Sequence, residues 1–172
     1  NILNNMVIGP IIYGSCEGYF VIVPSGTLYR AYSIIVLLSS QSIGYYFMHK
    51  AMHTNFLYKR THEFHHRYNT IIVPMAANSV TVYEYILAYM LPIVFGIILC
   101  KPDSFSLKAA IYCISFCNIT IHSPFLKKVA GQIYPKCIVS PADHFEHHRK
   151  LKTNYSAPIL NLDFVRKSVT MR

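Results

Sequence analysis

The sequence predicts an all-α fold: an integral-membrane helical protein with a helical hairpin and a cytoplasmic, histidine-rich cap. Three observations carry this. Of 172 residues, 53% are apolar and only 13% charged, against about 25% charged in an ordinary soluble domain. Residues 82–100 and 105–121 form apolar runs that reach the roughly 17 to 25 residues a bilayer-spanning helix needs. The histidines cluster at helical spacing outside those runs, with one more just after the second.

The two runs are joined by Lys101-Pro102-Asp103-Ser104, a short polar link with a helix-stopping proline. They read as a hairpin that enters and leaves the membrane on one side. Pro92 lies inside the first run, where a kink is expected. Lys108, near the start of the second, is placed to snorkel to the far surface. Two further apolar stretches precede the hairpin. Residues 31–48 form a clean one. Residues 6–23 are interrupted by Gly9, Pro10, Gly14, Glu17 and Gly18, which disfavour a simple lipid-facing helix, so a buried, irregular or truncated segment is expected there. The chain reads as one domain over residues 1–172, with a short or truncated N-terminal membrane part over about 1–30.

The formal net charge is +9, from 16 Lys+Arg against 7 Asp+Glu. Nucleic-acid binders are usually basic because they are rich in charge, and this chain is poor in it, so no nucleic-acid partner is expected. The cations concentrate in residues 49–81 and 122–172, while Lys101 and Lys108 stand at the hairpin turn. The positive-inside rule therefore places the two cationic regions in the cytoplasm. No Lys or Arg precedes Arg30, so a secretory signal with a cationic start is not evident. The five cysteines include no CxxC; Cys113 and Cys117, one helical turn apart, are expected to pack in the core, and neither a disulfide framework nor a thiolate metal site is expected.

The histidines follow a pattern. His49 and His53 form HxxxH. His62, His65 and His66 form HxxHH, and His144, His147 and His148 form HxxHH again. His122 stands at the end of the last apolar run. Residues at i, i+3 and i+4 share one helix face, so each cluster aims its imidazoles in one direction. Neutral imidazole binds zinc, iron and copper. Eight or nine rings exceed the four ligands of a tetrahedral zinc site and suit two metal ions with four or five nitrogens each. A hairpin crosses the membrane an even number of times, which returns every cluster to one face. His62-Glu63-Phe64-His65-His66 also satisfies HExxH, the pattern of a zinc protease, and Asp163 could then be a further ligand. That alternative leaves His49, His53, His144, His147 and His148 without a role.

The order HxxxH, short gap, HxxHH, helical hairpin, lone histidine, HxxHH resembles the fatty acid hydroxylase superfamily of integral-membrane oxygenases. The resemblance covers roughly residues 31–165. The sterol C4-methyl oxidase branch looks most similar: in His62-Glu-Phe-His-His-Arg-Tyr68, in Glu84 followed by Leu91-Pro92, in His122-Ser123, and in Asn154-Tyr155. The chain departs from that branch at Leu162-Asp163-Phe164, where the usual Trp before the Asp is missing, in lacking a later Phe-Gly-Thr, and at Asp143, where many relatives carry a histidine.

The resemblance implies a di-iron site held by His49, His53, His62, His65, His66, His122, His144, His147 and His148. It implies O2 as co-substrate and a sterol or fatty acyl lipid that is hydroxylated or desaturated. Electrons would come indirectly from NAD(P)H through a separate donor such as cytochrome b5 or a reductase, since the chain has no Gly-rich nucleotide fingerprint. The endoplasmic reticulum membrane is the implied location, and an inactive metal-binding relative is the non-enzymatic alternative. Glu63, Asp143 and Glu146, beside the clustered histidines, are candidates for orienting the imidazoles.

Overall fold

The computed structural model describes residues 2–20, 26–69 and 71–170, and these are almost entirely helix and connecting loop. Among the described residues, the one bridge between extended residues joins Ile138 and Leu160. A π-helical stretch, Asn4–Ile8, leads into α1 (Gly9–Phe20), followed by the long α2 (Thr27–Met52). Two short helices, α3 (Asn55–Thr61) and α4 (Glu63–His66), follow. Next come α5 (Val82–Glu84), a π-helical stretch Tyr85–Met90 and α6 (Leu91–Cys100), which run on as one 19-residue helix. The chain then turns into α7 (Ser104–Ile121), α8 (Pro124–Ile133), α9 (Pro141–Lys150) and α10 (Leu162–Thr170). Residues 21–23 of the first apolar stretch lie outside the described residues.

Among the described residues, Val82–Cys100 and Ser104–Ile121 are the two helices long and apolar enough to cross a membrane. Lys101 ends the first in the left-handed region, at φ 42°. Pro102 then blocks helix propagation. Asp103 caps α7, its Oδ1 accepting from Ser106 N at 2.8 Å. Asp103 also receives the Arg30 Nε–H through Oδ2, at 2.7 Å. The turn end thus gathers more than Lys101 and Lys108. It also holds Arg30 at the start of α2, and Glu17 of α1, whose Oε1 accepts from Ser104 Oγ at 2.6 Å and lies 3.9 Å from Lys108 Nζ. Glu17, which interrupts the first apolar stretch in sequence, is therefore a polar end-group of the bundle.

Pro92 shows itself as a change of winding. In an α-helix the carbonyl of residue 88 bonds the N–H of residue 92, and proline has none. The π-helical stretch precedes it directly, and Gln41 of α2 supplies the missing donor: its Nε2 donates to Ala88 O at 3.2 Å. The helices meet closely here. A Cβ on Gly44 would stand 2.6 Å from Pro92 Cβ, and one on Gly96 would stand 3.1 Å from Ser40 Cβ. Glycine is what lets α2 and α6 approach to this distance.

The packed interior forms two apolar clusters. One, beside the histidines, includes Tyr45, Met52, Tyr89 and Ile121. The other, nearer the hairpin turn, includes Cys16, Leu37, Ile97 and Leu107. Cys113 and Cys117 are only half-buried, so they edge the core where full packing was expected. Phe47, Phe95, Tyr112 and Phe116 point outward and stay largely exposed. The helices are thus apolar on both faces.

Candidate metal centre

The histidine end is assembled by local capping. Ser140 and Asp143 form a capping box at the start of α9, with Pro141 in the first turn. That box fixes the helix on which His144, His147 and His148 occupy one face. At the other side, Thr81 Oγ1 donates to Thr61 O at 2.6 Å and accepts from Glu84 N at 3.2 Å. One hydroxyl so ties the end of α3 to the start of the hairpin, and brings Glu84 against His62. His53 ends α2, and His122 ends α7.

All nine histidines meet in two groups. His49, His53, His62, His66 and His147 form one, and His65, His122, His144 and His148 the other. Within each, the candidate ligand atoms lie within 4.8 Å of one another. In the first group His49 Nε2 is 2.9 Å from His62 Nε2 and 3.3 Å from His53 Nε2. His53 Nε2 is 3.1 Å from His147 Nε2, and His66 Nε2 is 2.9 Å from His62 Nε2. In the second, His144 Nε2 is 3.0 Å from His122 Nε2 and 3.1 Å from His148 Nε2. The groups touch: the rings of His66 and His148 are 4.6 Å apart.

The opposite ring nitrogens decide the protonation state. His49 Nδ1 is 2.7 Å from Tyr155 O, His122 Nδ1 is 2.7 Å from Asn118 O, and His147 Nδ1 is 2.8 Å from Thr153 O. A carbonyl only accepts, so these Nδ1 atoms carry the proton. His62 Nδ1 lies 2.8 Å from Glu84 Oε1. Asn69 Oδ1 serves both groups, standing 3.0 Å from His66 Nδ1 and 2.9 Å from His148 Nδ1.

Burial, the main cause, and neighbouring imidazoles keep the rings neutral. The pKa of His53 falls to about 2, that of His66 to about 3, and those of His122 and His147 to about 4. A neutral ring with a proton on Nδ1 has a bare Nε2. Bare lone pairs aimed at each other across about 3 Å repel, and a cation shared among them removes the repulsion. For a metal–nitrogen bond of about 2.1 Å, adjacent ligands at a right angle stand about 3.0 Å apart. The donor set is therefore chemically suited to two metal ions.

The residues expected to orient the imidazoles are engaged elsewhere. Asp143 belongs to the α9 capping box. Glu146 binds Lys150 Nζ at 2.7 Å and Asn154 Nδ2 at 2.9 Å. Glu63 belongs to neither histidine group. Glu84, Asn69 and three backbone carbonyls take that place. Asn69, three residues after His66, carries a local signal, since an amide at i+3 reaches a ring on the same turn. Asn154 explains the position of Tyr155: at φ 54° it occupies the left-handed region, and its amide holds the loop against α9 while Tyr155 O meets His49. Asp163, the further ligand of the protease alternative, is bound to Ser156 through Oδ2, at 2.8 Å from both N and Oγ, and belongs to neither histidine group.

Fold and site together define an all-helical protein whose apolar helix hairpin carries two adjoining groups of histidines at one end. The fatty acid hydroxylase family matches residues 34–167, and the chain belongs to that family. It is 30% identical over 132 residues to the very-long-chain aldehyde decarbonylase GL1-4 of Oryza sativa subsp. indica, covering 70% of this chain and 21% of that protein. It is 27% identical to the very-long-chain aldehyde decarbonylase CER1 of Arabidopsis thaliana and 28% identical to Protein CER1-like 1 of Arabidopsis thaliana, each over 132 residues, 70% of this chain and 20% of the relative. The chain thus spans about a fifth of the length of these relatives. They are named as aldehyde decarbonylases or as like one, and none as a sterol C4-methyl oxidase. No solved structure matches the chain.

Proposed function

We propose that the protein is a membrane-bound di-iron oxygenase that oxidises a lipid with O2. The convergence of nine neutral imidazoles into two adjoining groups supports this reading most directly. His49, His53, His62, His66 and His147 would hold one iron, and His65, His122, His144 and His148 the other. Bound iron would supply the activation of O2 that an unactivated C–H bond requires. The residues do the rest. Glu84, Asn69 and the carbonyls of Tyr155, Asn118 and Thr153 orient the rings and raise their basicity. Buried Tyr45, Met52 and Ile121 keep water from the centre.

Val82–Cys100 and Ser104–Ile121 are read as a hairpin through the bilayer, with the cation-rich histidine end in the cytoplasm and the endoplasmic reticulum as the membrane. Electrons would come from a separate donor of the cytochrome b5 or reductase type. Hydroxylation, desaturation and the aldehyde chemistry named for the relatives all fit an oxidising metal pair beside an apolar bundle. Metal analysis of the purified protein tests the reading. About two irons per chain are expected, with fewer in His65→Ala and in His147→Ala. One zinc per chain that survives loss of His144, His147 and His148 would overturn it. Lipid analysis of cells expressing the protein, against a His147→Ala control, would identify the substrate.

A further inference from the structure

Two helices outside the hairpin carry an apolar stripe beside cationic residues. In α8, Phe125, Val129 and Ile133 recur every four residues and so share one face; Phe125 is 73% and Ile133 60% exposed. In α10, Leu162, Val165 and Val169 share one face, with Val165 46% and Val169 70% exposed. Buried Ala130 packs α8 onto the protein, and buried Asp163 does the same for α10. Both stripes stand beside the packed side and are left open.

Charge and position decide what covers them. Lys128, Arg166 and Lys167 are exposed, while Lys127 is drawn over the Phe145 ring, 4.7 Å from its centre. α8 contains no Asp or Glu, and Asp163 of α10 is bound to Ser156. The open surface of both helices is therefore apolar and cationic, with no exposed acid. α7 ends at Ile121 and α8 begins at Pro124, so the α8 stripe starts where the second apolar helix of the hairpin stops. Ser123 Oγ fixes that start by accepting from Leu126 N at 3.3 Å. α10 packs against α2, also at the histidine end, since Asp163 holds the loop from which Tyr155 O reaches His49. A short helix with an apolar stripe and Lys or Arg beside it has the make-up of a helix that lies in a membrane interface and is drawn to anionic lipid.

We propose that α8 and α10 lie in the bilayer interface at the histidine end, with their stripes among the upper acyl carbons and Lys128, Arg166 and Lys167 on the headgroups of anionic lipids. The inference rests on the reading of the hairpin as membrane-spanning and adds a lipid partner to it. A helix of this kind sinks about 5–10 Å into the boundary between headgroups and chains. α8 follows directly on His122, and α10 follows the loop that orients His49 and His147. The two helices accordingly set how deep the histidine groups sit against the lipid.

The chain has no tryptophan, so a single introduced one reports alone. Phe125→Trp and Val169→Trp probe the two stripes, and Phe116→Trp, outward on α7, probes the hairpin. Each purified protein is reconstituted into vesicles of phosphatidylcholine, or of phosphatidylcholine with phosphatidylserine. In the mixed vesicles both stripe probes should emit at shorter wavelength and lose emission to lipids brominated near the headgroup end of their chains. Both effects should weaken in phosphatidylcholine alone, and in about 1 M salt, where the screening length falls to about 3 Å. Combining Lys128→Glu, Arg166→Glu and Lys167→Glu should remove the difference between the two vesicle types at unchanged metal content. Stripe probes quenched by aqueous iodide and not by brominated lipid would overturn the proposal. So would probes that neither quencher reaches, the sign of a protein cover, and probes that respond alike in both vesicle types. The two readings fail separately. Phe116→Trp quenched by deeply brominated lipid while iodide reaches the stripes keeps the hairpin and removes the interfacial helices; stripes quenched by lipid while Phe116→Trp is not does the reverse.

Discussion

Glu84 Oε1 lies 2.8 Å from His62 Nδ1, with both residues fully buried. The carboxylate stands at the start of the hairpin and the imidazole 22 positions earlier, so the first helical turn of the hairpin is part of the histidine centre. A carboxylate on the far nitrogen of a ligand fixes the ring's tautomer and raises its basicity. Glu84→Ala should therefore lower metal affinity about 10- to 100-fold, and Glu84→Gln, which keeps an acceptor, should lower it less. Competition with a chelator measures both. Unchanged affinity in Glu84→Ala would show that the contact only packs.

Asn69 is the one side chain among the described residues that bonds a ring in each group, through His66 and His148. Its loss should loosen both metal positions together. Asn69→Ala is expected to release both ions at lower chelator concentration, whereas His147→Ala should weaken the first group and spare most of the second. Release of a single ion from Asn69→Ala would contradict the bridging role.

Asp163 holds the loop that carries two of the orienting carbonyls. Its Oδ2 accepts from Ser156 N and Oγ, and its own N–H donates to Ser156 Oγ at 2.9 Å. Tyr155 O, next in the chain, meets His49. Asp163→Ala leaves buried donors unpaired, which costs about 1–3 kcal/mol. The melting temperature should fall and metal affinity with it. A variant that melts lower but keeps its affinity would mean that the loop positions nothing.

These residues also show what could be read from the sequence. The clusters at i, i+3 and i+4 and the polar Lys101–Ser104 link are local patterns, and local patterns survive in one dimension. The helical hairpin and all nine histidines could be named for that reason. The polar contacts behind the rings could not, because they come from residues distant in sequence: Tyr155 for His49 and Asn69 for His148 by hydrogen bonds, and Glu84 for His62 by close approach of its carboxyl group. Glu63, Asp143 and Glu146 adjoin the histidines only along the chain, and on a helix the neighbour at i±1 points elsewhere. Asp143 even carried its own signal, as the third residue after Ser140 in a capping box. Gln41, a lone amide in an apolar stretch, acquires its meaning from Pro92 on another helix.

The neutral histidines also set how the metal-free protein responds to acid. The folded-state pKa values of His53, His66, His122 and His147 are pushed down to between about 2 and about 4, and in the unfolded chain they return to about 6.5. As pH falls below about 6.5, the unfolded chain takes up protons that the folded chain refuses, so the equilibrium moves toward unfolding. The stabilisation is fully present above about pH 6.5 and is lost progressively below it. Metal binding adds to the trend, since protons compete for the same nitrogens. Thermal melts of the metal-free protein in detergent should shift downward between pH 7.5 and pH 5.5, about one unit to either side of that value, and His122→Asn, with one titrating ring fewer, should shift less. A melting temperature that stays level across this interval would mean that the rings are charged in the fold, which is incompatible with bare nitrogens converging on two cations.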